Sequence, residues 1–306
     1  MPKVVVIGGI TVDIEGVPNN KLVSKDSNPG EVNFSYGGVG KNIAQNMVKL
    51  DIDVSMLSAV GKDLYGESVL KYCENEGIKV DDVLVLNNKS TAVYMSILDH
   101  ERDMEIAIIN MDTFDEITWK YIKEKEKKII DADLVVIDTN MTKSLLDYIV
   151  NNYKDKKFFL DPVSTIKAEK AKESIGKFTI IKPNKIEAEK LSGIKITDNK
   201  SLEEAGEFFI KQGVENIFIT LGKEGVYYHN SNSFGIVKLP MLEAVSATGA
   251  GDAFSAGVIY GYLQGSDIKL MAVYGCAAAS IALLDKETVS KNISIDAIKQ
   301  KASKII

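Results

Sequence analysis

Histidine and cysteine are scarce in this chain, with two of each among 306 residues. Cys73 and Cys276 lie far apart in apolar surroundings, which argues against a disulfide framework and a cysteine-ligated zinc site. So little imidazole also disfavours Ser-His-Asp chemistry, and His100 and His229 read as surface or loop residues. Positive charge is not in excess: 37 basic against 43 acidic residues leave a net charge of −6, a poor balance for gripping a phosphate backbone. Long apolar runs are missing as well. Val4-Val5-Val6-Ile7 is too short for a signal segment, and the stretch from Cys276 to Leu284 cannot span a bilayer. The expectation is a cytoplasmic protein that works on small molecules, with neither nucleic acid nor membrane as partner.

What the chain does have is alternation. From Pro2 to Thr220, short Val/Ile-rich runs exchange with longer amphipathic segments, the pattern of parallel strands joined by crossover helices. Core strands are expected at 3–9, 53–60, 133–138, 157–161, 178–181 and 216–220, and the second half turns helical near 249–264, 268–284 and 294–304. Two features do not fit a parallel core. Val32, Phe34 and Tyr36 alternate like a half-buried strand, and residues 91–98 and 104–109 flank the polar turn Asp99-His100-Glu101-Arg102-Asp103 as a hairpin. They form an accessory sheet that covers a ligand or pairs with another subunit.

Ala247-Thr248-Gly249-Ala250-Gly251-Asp252-Ala253-Phe254 is the most informative segment. Its glycines let backbone approach a ligand, the helix that follows offers free amides to an anion, and Asp252 stands where a carboxylate would repel phosphate unless it took up a proton. An ordinary helix start also welcomes Gly and Asp, and remains the alternative. A second cluster, Gly37-Gly38-Val39-Gly40-Lys41-Asn42, suits close approach to a ligand and a hinge, or a simple strand-to-helix turn. It is not a Walker A loop, since Ser35 replaces the first Gly and Asn42 follows the Lys; Gly8-Gly9-Ile10-Thr11 likewise fails the dinucleotide fingerprint. Ligands of parallel sheets gather beyond the strands' carboxyl ends, which singles out Asp13, Asp138, Asn140, Asp161, Asn184, Glu187, Thr220 and Gly222. Asn184 to Glu187 also has capping-box spacing, and Asp161 before Pro162 suits a turn.

In this order and separation, the two glycine signatures resemble those of the PfkB, or ribokinase-like, carbohydrate kinases, and the likeness extends over essentially the whole chain. Asn184-Lys185-Ile186-Glu187 and Thr220-Leu221-Gly222-Lys223-Glu224-Gly225 are similar to two further motifs of that family. The resemblance implies an α/β fold: a single domain over 1–306 with a three-layer α/β/α core, a mainly parallel central sheet and a small β lid inserted at about 14–36 and 91–110. It implies transfer of the ATP γ-phosphoryl group to a hydroxyl, with Asp252 as general base, the amides of Gly249, Ala250 and Gly251 stabilising charge, and Mg²⁺ held through water near Asn184 and Glu187. Asp13 and Asn42 would grip ribose hydroxyls, with Gly37 and Gly38 against the sugar. Adenine would lie between the Thr220 to Gly225 loop, including Gly222, and the helix carrying Ala277 and Ser280. Finer features resemble pseudouridine kinases: Asp26-Ser27-Asn28-Pro29-Gly30, Asp161-Pro162-Val163-Ser164 followed by Lys167, and the hairpin from Asp103 to Ile108. They imply the 5′-hydroxyl of pseudouridine as acceptor, with Asn28, Thr91 and Lys167 beside the base. Ribose, adenosine or another ribosyl compound is the alternative acceptor, and a non-catalytic nucleoside sensor the alternative from outside enzymes. A homodimer clasped through the lid is expected. One departure stands out: many relatives have an Asp six residues before the base, helping to bind potassium, whereas this chain has Ser246, whose hydroxyl supplies no charge, so monovalent-cation dependence is left open.

Overall fold

The structure, a computed structural model, describes residues 1–239 and 243–305. In chain order its strands are β1 (Lys3–Ile7), β2 (Thr11–Pro18), β3 (Gly30–Gly37), β4 (Asp53–Leu57), β5 (Ala59–Gly61), β6 (Leu84–Leu86), β7 (Val93–Leu98) and β8 (Met104–Asn110). The later ones are β9 (Leu134–Asp138), β10 (Phe158–Asp161), β11 (Ile180–Ile181), β12 (Asn216–Thr220), β13 (Val226–Asn230) and β14 (Phe234–Val237). The main sheet has the order β14-β13-β12-β11-β10-β9-β1-β4, parallel from β12 to β4 and antiparallel at β13 and β14.

The apolar runs are continuous because both faces of this sheet are covered. Val4 and Val6 pack into one layer with the helices Val39–Val48, Ala250–Leu263 and Ile268–Ala282; Val5 and Ile7 pack into the other with Lys143–Asn152, Lys185–Ser192 and Asn199–Gln212. Each such side chain, fully buried, contributes roughly 1.5–3 kcal/mol, so a polar residue in the middle of a strand would be costly. Polar groups are therefore left to the strand ends, where the site forms. Among the described residues no helix is long and apolar enough to cross a membrane.

Two expectations are corrected, and one strand is added. The run 53–60 is two strands: Ser58 donates its hydroxyl to the Gly8 carbonyl at 2.7 Å, the chain leaves the main sheet, and β5 pairs instead with β6. The second half is not purely helical, since β13 and β14 extend the sheet with Tyr227 and Tyr228 packing into opposite layers. The segment after Ile10 adds a strand, β2, in which Gly16 pairs with Ile97 and which ends at Pro18.

β2 is central to the four-stranded sheet β3-β2-β7-β8, which also contains the expected hairpin. Register places Phe34, Ile14, Met95 and Ile108 in one row and Val32, Gly16, Ile97 and Ile106 in the next. Val32, Phe34, Met95, Ile106 and Ile108 are all exposed, the least of them at 40%. Alternation puts Asp13, paired with Ser35 and Tyr94, on the opposite face.

Candidate active site

The turn that opens the Ala250–Leu263 helix is built on one residue that must be glycine. Gly249 has φ 79°, and a Cβ there would lie 1.8 Å from the Thr288 carbonyl oxygen. It caps the Ala250–Leu263 helix with no side-chain hydrogen bond, so the first-turn amides are not claimed by a capping group; Ala250 makes only a 3.4 Å bond to Ala247. Asp252 sits in that first turn and accepts from Asn42 Nδ2 at 2.8 Å, joining the two glycine signatures across 210 positions. Burial raises the pKa of Asp252 to about 7; the negative Asp161 adds to the shift, while Lys182, Asn42 and Lys41 oppose it. A carboxyl group titrating there is suited to taking a proton at neutral pH. The other amide atom, Asn42 Oδ1, is buried without a partner among the described residues and has acceptor capacity to spare for a ligand hydroxyl.

On the acceptor side Gly38 has φ 97°, and a Cβ would stand 2.3 Å from the Gly9 carbonyl oxygen. Gly37 closes over Asp13, whose carboxylate would lie 2.0 Å from an added Cβ. Burial raises the pKa of Asp13, opposed by the hydrogen bond from Thr11 Oγ1 at 2.8 Å and by the charge of Lys41. Asp138, named above as a rim residue, is a buried clamp: Oδ2 accepts from Gly9 N at 2.7 Å and Gly40 N at 2.9 Å, and Oδ1 from Asn140 N at 2.9 Å. Burial raises its pKa against those bonds. Lys167 joins the same rim by donating to Asn140 Oδ1 at 2.6 Å, and burial lowers its pKa.

Asn28 and Thr91 are engaged elsewhere. The Asn28 side chain accepts from Val23 N and donates to Val23 O and Asp26 O, holding its own loop together. Thr91 is 1% exposed; its hydroxyl donates to Asp63 Oδ1 at 2.6 Å and accepts from Gly61 N, so it presents nothing to a cleft.

The donor side gathers at the ends of β11 and β12. Asn184 and Glu187 form the capping box in both directions, and Thr220 N donates to Pro183 O at 3.0 Å, bridging Asn184 in parallel register. Glu187 keeps oxygen donors, the kind Mg²⁺ takes, and burial raises its pKa, a shift that a nearby cation would reverse. Gly222 (φ 62°) and Gly225 (φ 104°) shape the following loop, beside a cavity of about 520 Å³ lined by Lys185, Leu221, Lys223, Ile236 and Lys238. Ala277 and Ser280 are buried on the Ile268–Ala282 helix, and Ser280 Oγ is without a partner among the described residues. The Ser246 hydroxyl accepts from Thr248 N at 3.2 Å.

Two further cations are buried here, and of these only Lys182 lies outside every motif. Lys182 forms a buried pair with Asp161 Oδ2 at 2.8 Å; burial pulls its pKa down, but Asp161 outweighs that and holds it above the ordinary lysine value. Lys41 lies within the first glycine signature, 1% exposed and donating to Gln45 Oε1, with burial lowering its pKa to about 8. The only local signal for Lys182 is a lysine ending an apolar run; its partner is visible only in three dimensions.

Residues 1–295 match the pfkB family carbohydrate kinases. The chain is 33% identical to pseudouridine kinase from Escherichia coli over 293 residues, covering 95% of this chain and 94% of that one. It is 26% identical to ribokinase from Haemophilus influenzae, covering 92% of each. Among solved structures, a carbohydrate kinase from Agrobacterium tumefaciens superposes with a TM-score of 0.89 at 26% identity, covering 100% of this chain and 98% of that one. Ribokinase from Arabidopsis thaliana, solved with ribose and ATP, has the same fold, with a TM-score of 0.86 at 19% identity and 98% of each chain covered. The chain belongs to the pfkB family of carbohydrate kinases, and is a phosphotransferase that acts on a hydroxyl group of a sugar or nucleoside.

Proposed function

We propose that the chain transfers the γ-phosphoryl group of ATP to the 5′-hydroxyl of pseudouridine. The kinase chemistry rests on the Asn42–Asp252 pair set against the uncapped Gly249 turn. The choice of acceptor rests on the 33% likeness to a pseudouridine kinase over nearly the whole chain. ATP as donor is supported by the shared fold of the Arabidopsis protein that holds it. Asp252 takes the hydroxyl proton as that oxygen bonds to phosphorus and the bond to the ADP oxygen breaks; amides of the Gly249–Gly251 turn stabilise the equatorial oxygens. Asp13 and Asn42 orient the ribose hydroxyls by charge-assisted and amide hydrogen bonds. Asn184 and Glu187 are the residues to hold Mg²⁺ through water, and Mg²⁺, when bound, neutralises charge on the phosphates. The base faces Lys167 and Asn140, which offer an ammonium and an amide on one rim.

An acceptor panel with ATP and Mg²⁺ tests the assignment. Pseudouridine-dependent ADP release should exceed that with uridine, ribose and adenosine, since only the C-glycosidic isomer presents the extra ring N–H near C1′. Preferred turnover of any of the others overturns pseudouridine as the acceptor.

The exposed apolar rows on β3, β7 and β8 support a second copy as their cover, because so continuous an apolar sheet face is rarely left in water. Light scattering at micromolar concentration should give the mass of two chains, and Phe34→Glu with Ile108→Lys should give that of one.

A further inference from the structure

We infer that Lys182 is a catalytic residue of the transfer, its ammonium meeting the transferring phosphoryl group over the Gly249–Gly251 turn while Asp161 and Ser255 hold it in place. This rests on the kinase reading above. Lys182 leaves the carboxyl end of β11, with its own amide donating to Leu160 O at 3.0 Å. Among the described residues, apart from its chain neighbours and its own helix's backbone, a Cβ built on Gly251 would have one neighbour within 4 Å, Lys182 Nζ at 3.5 Å. Gly251 thus has room beside it, with the Lys182 ammonium at the edge of that room.

The surroundings fix the cation rather than merely neutralise it. Asp161 Oδ2 takes Lys182 Nζ at 2.8 Å, and the single hydroxyl proton of Ser255 is shared between Asp161 Oδ2 at 3.2 Å and Gly251 O at 3.1 Å, one turn into the helix that carries Asp252. Asp161 Oδ1 takes the amide of Val163, a β-branched residue at φ 63°. A left-handed backbone is strained for such a residue, and that strain sits where it aims Asp161. A buried ion pair is weak support for a fold, because an apolar pair of similar volume often serves as well. Its position beside the transfer site gives the charge a use.

Arg102 and Lys41 have partners of their own. The only arginine, Arg102, is exposed in the β7–β8 turn near Glu31. Lys41 is directed to Gln45 and lies 5.5 Å from the Tyr72 ring centre. In the transfer Lys182 stays protonated and moves no proton: the hydroxyl proton goes to Asp252, the new oxygen–phosphorus bond forms, and ADP carries away the old one.

Binding and turnover together test the inference. Acceptor-dependent ADP release by the wild type comes first; its absence with every acceptor would sink the kinase reading, independently of Lys182. Calorimetric titration then compares ADP with a non-hydrolysable ATP analogue in the wild type, Lys182→Met and the charge-neutral double variant Lys182→Met/Asp161→Asn. ADP affinity should stay within about threefold, whereas affinity for the analogue, which alone carries the third phosphate, should fall roughly tenfold or more. Turnover should fall on the order of 10²–10³-fold, and Lys182→Arg should recover part of it. A folded double variant that binds the analogue like the wild type, or that turns over within about threefold of it, overturns the assignment, as does an equal loss of ADP and analogue affinity.

Discussion

Replacing Asp252 with asparagine is expected to lower turnover by at least about 10²-fold while acceptor binding is retained, the usual scale for removing a general base. The change is nearly isosteric, and a side-chain amide oxygen can still accept from Asn42 Nδ2, so only the proton-accepting capacity is lost. Unchanged turnover would remove Asp252 from its proposed role. The pH dependence gives a second readout. With its pKa raised to about 7, Asp252 is mostly protonated below neutrality, so kcat/KM of the wild type should climb as pH rises through 7, a limb that Asp252→Asn should lack.

Stability should move the opposite way. Burial lifts the folded-state pKa of Asp252 above the ordinary carboxylate value of 3.8, so the native state holds a proton that the unfolded chain has already released. The wild type therefore loses stability as pH rises from about 4 through 7, whereas Asp252→Asn does not. Thermal melts should show the variant more stable at pH 8, with the advantage shrinking to nothing below pH 4. A variant no more stable at pH 8 would mean that the carboxylate is not strained by its surroundings.

Gly249→Ala is the second change expected to have a large effect. Two penalties coincide there: a left-handed backbone at φ 79° and a methyl carbon placed 1.8 Å from the Thr288 carbonyl oxygen. The first costs about 1–2 kcal/mol. The second cannot be absorbed by a side-chain rotation, because the obstacle is backbone. Gly193 separates the two terms, since it has φ 75° with nothing within 4 Å of an added Cβ. Gly193→Ala should lower stability by the backbone term alone and leave turnover intact, while Gly249→Ala should lower stability further and reduce turnover by at least about 10²-fold through displaced anion-binding amides. Equal melting temperatures and equal turnover in the two variants would show that the Thr288 contact is readily relieved.

Much of the fold was legible because its parallel strands are buried on both faces and therefore read as unbroken Val/Ile runs. β9 and β10 were expected at 133–138 and 157–161 and lie at Leu134–Asp138 and Phe158–Asp161. Strands whose pattern was broken by special residues were not legible. Gly16 and Pro18 disguised β2, and the tyrosine-rich β13 gave no long aliphatic run. The site divides along the same line. Gly249, Gly38 and Asp252 belong to contiguous motifs whose backbone geometry is local. Thr91 is held by Asp63, a partner 28 residues away that its local sequence does not announce. Lys182 was passed over because its partner lies on the neighbouring strand and its target turn some seventy positions on, beside Gly251.

The sequence by itself determined the alternating architecture, the two glycine-rich turns and the carboxylate beside one of them, because these depend on periodicity and on backbone conformations that only particular residues adopt. Tertiary structure alone decided which charges meet. The Asn42–Asp252 bond, the Lys182–Asp161 pair and the raised pKa of Asp252 arise from desolvation and from neighbours brought together by the sheet. Coulombic coupling and burial depend on distance in space, on which separation along the chain is silent.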